Sequence, residues 1–307
     1  MKLFGGIEAG GTKFVCMVGN TPNDLAAEER FPTTGPVETI RQAVDFFAPY
    51  VQKGELVAVG IASFGPLDLN PDSPTYGYIT TTPKTGWQQV NLCGEIQRGL
   101  NVPVVFDTDV NAAAFGEQYW LPENRSLDPF LYITVGTGIG VGVIVNGSPL
   151  HGLIHSEAGH FAIPHDQQRD PFPGICPFHG DCLEGLASGV SMQKRWGQNA
   201  ETLSDAHPAW DLEAEYIALA LVNLIYACSP RRIVLGGGVA QHPGLHVAVR
   251  QKVQRLLNGY IQSSVVLENI DEYILPPALG NRSGGLGAIA LAITEYAARN
   301  TETGVLI

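Results

Sequence analysis

Three observations predict an α/β chain built as two similar halves. Two glycine-rich turns set between apolar runs open the two halves, and short apolar strands alternate with helical stretches. A composition of 45% hydrophobic and 16% charged residues over 307 positions supplies enough apolar surface for two modest cores. Two such halves around a cleft make a natural ligand site.

From Leu3 to Val18 an apolar run, a polar turn (Glu8-Ala9-Gly10-Gly11-Thr12-Lys13) and a second apolar run, FVCMV, predict a β-hairpin. LVAVGIA and VPVVF are too short for helices and are bounded by turn formers, so both are predicted as buried strands. The second feeds a predicted helix, Val110 to Trp120. At Phe130 to Asn146 the hairpin pattern recurs: LYIT, then Gly136-Thr137-Gly138-Ile139-Gly140, then VGVIV. From His151 to about Cys182, many His, Pro and Asp residues with little periodicity predict an irregular excursion. Trp210 to Cys228 carries acids in its first turn (Asp211, Glu213) and apolar residues nearly all round, the pattern of a buried helix. RIVLGGGV then reads as strand and turn, followed by a helix ending near Gly259 and a last helix near Gly284 to Arg299. The expected domains are 1–116, completed by a C-terminal helix over 288–307, and 117–287.

Several function classes lose ground on bulk properties. A formal net charge of -12 argues against a surface for nucleic acid. No apolar run reaches bilayer length, the longest candidate, Tyr216 to Cys228, being interrupted by Asn223, so no membrane partner is expected. The N-terminus MKLFGGIEAGG leaves no room for a secretion signal, and the five cysteines are an odd, scattered count that fits reduced thiols. Cytoplasm is the expected compartment.

Glycines in a turn let backbone N–H groups approach an anion without a Cβ in the way, and neighbouring threonines add donors. Any tight hairpin can use glycine for φ > 0 alone, but two threonine-rich copies favour a phosphate site. Neither hairpin contains G-x-G-x-x-G, and the P-loop pattern G-x-x-x-x-G-K-[ST] is absent. Asp107 and Asp109 end the VPVVF strand, where one could serve as a general base, or Asp107, Thr108 or Asp109 could cap the next helix. Cys176-Pro-Phe-His179-Gly-Asp-Cys182 sets three zinc-type ligands at equal short spacing and lacks a fourth.

GIEAGGTKF, FDTDVNAAAFGE, YITVGTGIGVG, SEAGH and IVLGGGV occur in the order found in ROK sugar kinases, and the chain resembles that family over nearly its whole length. The resemblance implies a two-domain actin-like ATPase (ribonuclease H-like) fold with ATP and sugar in the interdomain cleft. It assigns phosphate binding to Gly10, Gly11, Thr12 and Lys13 and to Thr134, Gly136, Thr137 and Gly138, and brings Gly236, Gly237 and Gly238 to the adenosine. Most members have Asp where this chain has Glu8; GIEAGGTK is similar to the fructokinase branch, and Glu8 would position hydrated Mg²⁺. Similarity of TDVNAAAFGE to N-D-A-N-A places the base at Asp109, with Thr108 in place of the usual Asn as a sugar contact and Asn111 supporting Asp109. The fourth zinc ligand implied is His160, with His165 and His155 as competitors, and the structural Zn²⁺ would pin the loop so that Glu157 and Glu184 hold sugar hydroxyls. Thr80 to Trp87 resembles the loop bordering the sugar, giving Thr82, Gly86 and Trp87 as contacts beside Glu157 and His160. The implied activity is ATP-dependent phosphorylation of a hexose, fructose favoured, by a homodimer. Mannose, glucose or N-acylhexosamine as acceptor, and a non-catalytic sugar sensor, are the alternatives. ROK repressors carry an N-terminal helix-turn-helix, whereas the phosphate hairpin here starts at residue 5.

Overall fold

The computed structural model describes residues 2–302, which divide into two compact units. The first holds the chain through Ser126, Ser148–His155 and the chain from Asn281 onward; the second holds Leu127–Gly147 and Ser156–Gly280. The first break falls after Ser126, where the sequence suggested 116, and Ser148–His155 returns to the first unit.

The first unit begins with β1 (Leu3–Ala9), β2 (Lys13–Thr21) and β3 (Asp24–Pro32), continues through α1 (Pro36–Gln52), β4 (Leu56–Ser63) and α2 (Leu92–Leu100), and reaches β5 (Val104–Thr108) and α3 (Asp109–Tyr119). Its sheet has the order β3-β2-β1-β4-β5, antiparallel across the first three strands and parallel from β1 to β5. The predicted hairpin is β1–β2, closed by Ala9 opposite Phe14. VPVVF forms its strand two residues further along, which places Asp107 inside β5 and Asp109 at the first position of α3. Ile7, Phe14, Phe47, Ile61 and Trp87 are fully buried at the centre of this unit's core.

The second unit opens with β6 (Phe130–Val135) and β7 (Ile139–Val145); the short β8 (Ser148–Pro149) follows in the chain. Between 151 and 182 the described backbone contains no helix or strand beyond the 3₁₀ turn Ala158–His160. Then come α4 (Leu183–Ala187), α5 (Gly189–Trp196), α6 (Ala209–Cys228), β9 (Arg232–Gly236), α7 (Leu245–Leu257), α8 (Ser264–Leu267), α9 (Ile270–Tyr273) and β10 (Ile274–Leu275). β6 pairs antiparallel with β7 and parallel with β9, and β9 pairs parallel with β10. The core of this unit is led by α6, whose Ile217, Ala218, Ala220 and Leu221 are fully buried against the β6 and β9 side chains Leu131, Ile133 and Leu235.

The chain closes with α10 (Ser283–Glu302), packed on α3, β1 and β4. It belongs to the first unit and starts earlier than the expected 288; residues 303–307 of the expected helix lie outside the described residues. Leu286 and Ile289 are buried there, each contributing about 1.5–3 kcal/mol by leaving water. Close approach needs missing Cβ atoms: at Gly287 a Cβ would run into the Ala112 carbonyl of α3. Among the described residues, no helix is long and apolar enough to cross a membrane.

Candidate functional site

In the first unit the turn between β1 and β2 is closed by Gly10 N–H donating to the Lys13 carbonyl at 3.0 Å. Behind it, Thr33 donates its hydroxyl to the Gly10 carbonyl (2.6 Å) and its N–H to the Thr12 carbonyl (2.9 Å). Gly11 has open space where a Cβ would stand, so the turn leaves its outer side free for an anion. Glu8, two residues earlier on β1, lies against Gly284 and Gly285 at the start of α10. Burial pushes its carboxyl above the usual carboxylate range, against the pull of Lys13 and the Gly285 backbone N–H. Its Oε2 is sealed from solvent with no hydrogen-bond partner. A buried, unsatisfied carboxylate oxygen beside a glycine turn fits the oxygen ligand that Mg²⁺ takes directly or through its own waters.

At the end of β5 the capping question is settled: the Thr108 hydroxyl accepts the Asn111 N–H at 3.0 Å and serves as the N-cap of α3. Asp109 sits in the first turn with Oδ1 accepting the Val110 N–H at 2.9 Å. Thr108 is buried, and its hydroxyl accepts the cap bond while keeping its own O–H to donate. One expectation changes here. Asn111 donates to Asp107 Oδ1 at 2.8 Å, supporting Asp107 and not Asp109.

The loop Thr80–Trp87 is tied to the same region. Trp87 is 0% exposed, its indole N–H donating to the Thr34 carbonyl and its ring packed on Phe14 and Phe64. It is therefore packed in the core of the first unit. Thr82 is also buried, accepting the Lys84 N–H, while the Lys84 ammonium donates to the Thr33 carbonyl at 3.1 Å. Gly86, at φ +80°, lies in the exposed part of the loop. Sequence reasoning missed the Thr33–Thr34 strap, whose threonines carry no motif of their own.

In the second unit the β6–β7 turn, the β9 turn and the start of α5 converge. Gly136 N–H donates to the Gly138 carbonyl, and Gly189 at the start of α5 donates to the Gly136 carbonyl at 2.7 Å. A Cβ on Gly136 would stand 3.9 Å from the Gly238 nitrogen, which puts the two glycine turns side by side. Gly237 has φ +94° and faces the backbone of Val135, so no side chain fits there. Gly236 ends β9 against the Tyr132 and Pro277 side chains. Thr134, next to last in β6, pairs with Gly140, and Thr137 is exposed at the tip. Glu184, from α4, accepts the Ile139 N–H at 3.0 Å and would lie 2.6 Å from a Cβ on Gly138. Burial lifts the Glu157 carboxyl, with His160 opposing and the Glu184 charge adding to the rise, so the two acids lie near each other.

His160, Cys176, His179 and Cys182 bring four ligand atoms within 4.8 Å of one another. His160 Nδ1 stands 3.7 Å from Cys176 Sγ and 3.5 Å from Cys182 Sγ, and His179 Nδ1 stands 3.5 Å from Cys176 Sγ. Tetrahedral zinc with ordinary Zn–S and Zn–N bonds separates sulfur from nitrogen by about 3.6 Å, so the donor set fits that ion. The loop doubles back through paired Cys176–Gly180 backbone bonds, with Gly180 at φ +65°. The two competing histidines are elsewhere: His155 accepts the Leu67 N–H, and His165 is held between Asp181 and Asp170.

The ROK family profile matches residues 4–295. The chain belongs to the ROK family. It is 43% identical over 294 residues to a fructokinase of Streptococcus mutans, covering 95% of this chain and 97% of that protein. A fructokinase of Lactococcus lactis subsp. cremoris is 42% identical over 294 residues, covering 95% and 98%. Among solved structures, a ROK hexokinase from Thermus thermophilus superposes with a TM-score of 0.77 at 25% identity, covering 96% of this chain and 99% of that one. The fold is thus that of the ROK kinases, α/β and actin-like.

Proposed function

We propose that this chain is an ATP-dependent sugar kinase that phosphorylates fructose to fructose 6-phosphate. The observation that carries the reading is the position of Asp109, in the first turn of α3 at the C-terminal end of a parallel strand, where α/β proteins place their ligand chemistry. The names of the relatives above supply the acceptor.

Asp109 accepts the proton of the attacking sugar hydroxyl, a task for a carboxylate within hydrogen-bond reach of that oxygen. The glycine turns at Gly10–Thr12 and Gly136–Gly138 donate backbone N–H groups to phosphate oxygens, with Lys13, Thr134 and Thr137 as further donors, and Gly236–Gly238 border the adenosine. Mg²⁺, when bound, neutralises charge developing on the phosphates; Glu8 would hold it through water. Glu157, His160 and Glu184 orient sugar hydroxyls, and Gly86 lets the loop backbone come close. His160 does this while its Nδ1 faces the sulfurs, in a structural zinc site that pins the irregular loop. Homodimer formation and a cytoplasmic location, where ATP is supplied, complete the reading.

The test is ATP-dependent turnover across fructose, mannose, glucose and N-acetylated hexosamines, with zinc measured on the same sample. Fructose preference, about one zinc per chain by four-ligand closure, and loss of turnover in Asp109→Asn with ATP binding retained are expected. Turnover by Asp109→Asn comparable to the parent overturns the base, and another preferred hexose moves the specificity.

A further inference from the structure

The segment Ser148–His155 returns to the first unit and packs on α3 through β8. Two histidines pin it. His151 Nε2 lies 2.9 Å from Asp107 Oδ2 at the end of β5, and His155 Nε2 accepts the Leu67 N–H at 3.2 Å in the loop after β4. Between them the chain makes a tight reversal, His151 bridging to His155 and Gly152 N–H donating to the Ile154 carbonyl at 3.1 Å. The loop is thereby fastened at the C-terminal ends of two adjacent parallel strands.

Asp107 is 3% exposed. Its Oδ1 accepts the Thr108 N–H (2.7 Å) and the Asn111 side-chain N–H (2.8 Å), and Oδ2 meets the His151 ring, which holds the His151 imidazole above its usual range. A buried carboxylate is costly unless hydrogen bonds and an opposite charge balance it. Neither amide donor carries charge; the His151 ring, 2.9 Å from Oδ2, is the partner that supplies one when protonated.

We propose that His151 is a positioning residue for phosphoryl transfer, balancing the buried Asp107 carboxylate and fastening the 150–155 loop beside the base Asp109. This rests on Asp109 as the base. His151 does not exchange the hydroxyl proton, which passes to Asp109; it fixes the environment in which Asp109 accepts it.

The experiment compares His151→Gln, Asp107→Asn and the double variant with the parent, reading kcat, KM for fructose, KM for ATP and melting temperature. His151→Gln lowers kcat about tenfold, the size of a lost charge-assisted bond, while KM for ATP stays within about twofold. The double variant recovers most of that loss, because no unbalanced carboxylate is left. A double variant as slow as the product of the single losses, or a His151→Gln enzyme with unchanged kcat, overturns the proposal. A variant that melts early is judged on its ATP KM: if that rises in step with the loss of kcat, the role is only structural and the proposal falls. Asp109→Asn measured alongside separates the two readings. If it turns over normally, the base and this inference fail together; if it is inactive while His151→Gln is unchanged, only this inference fails.

Discussion

Between β1 and β2 the chain turns with open space where a Gly11 Cβ would stand, while between β6 and β7 the equivalent turn carries a carboxylate pressed against Gly138. Each hairpin has one acidic neighbour, and the two are treated differently. Glu184 is satisfied by the Ile139 N–H, whereas Glu8 keeps a sealed Oε2 with no partner. Similar sequence therefore yields similar backbone but unequal load: the second turn is braced from within its own unit, and the first keeps an unsatisfied carboxylate oxygen beside it.

Three substitutions probe that inequality, in order of expected size. Gly138→Ala displaces the Glu184 carboxylate, the far end of a flexible side chain, from the Ile139 N–H; a loss of about 1–3 kcal/mol in urea unfolding is expected from the donor left unpaired, together with a raised KM for ATP. Stability equal to the parent would show the brace is slack. Glu8→Gln acts through linkage. Burial raises the folded carboxyl above its ordinary value of 4.5, so the group's favourable contribution is full below 4.5 and fades as pH climbs through the folded value. The Gln variant should melt higher than the parent at pH 7.5, with the gap closing below pH 4.5, and it should be slower in turnover. A lower melting point at pH 7.5 would mean the start of α10 stabilises the anion more than burial costs it. Gly11→Ala meets nothing within 4 Å, so stability should change by less than about 0.5 kcal/mol. Any rise in KM for ATP in that variant then reports the approach of phosphate alone.

The hairpins were legible because glycine clusters between apolar runs leave few other readings, and α6 because apolar residues surround it. The zinc-type cluster was legible for its spacing, with His160 added by resemblance. What sequence did not carry was set by distant partners. Trp87 sits in a loop by sequence, yet its ring fills the core beside Phe14. Thr108 and Asn111 read as site residues, and only the backbone of α3 shows that one caps and the other serves Asp107. β3 alternates exposed and partly buried side chains and offers no apolar run to announce it. The segment returning at Ser148–His155 is joined to its unit by His151 and His155, whose partners lie 44 and 88 residues earlier.

The placement of α10 bears on how the protein is made. β1 leaves the ribosome well before the helix that covers it, which has Leu286 and Ile289 among its buried side chains. Every residue of the second unit is translated in between. During synthesis the second unit can complete its own core while the β1–β4 face that α10 covers is still open.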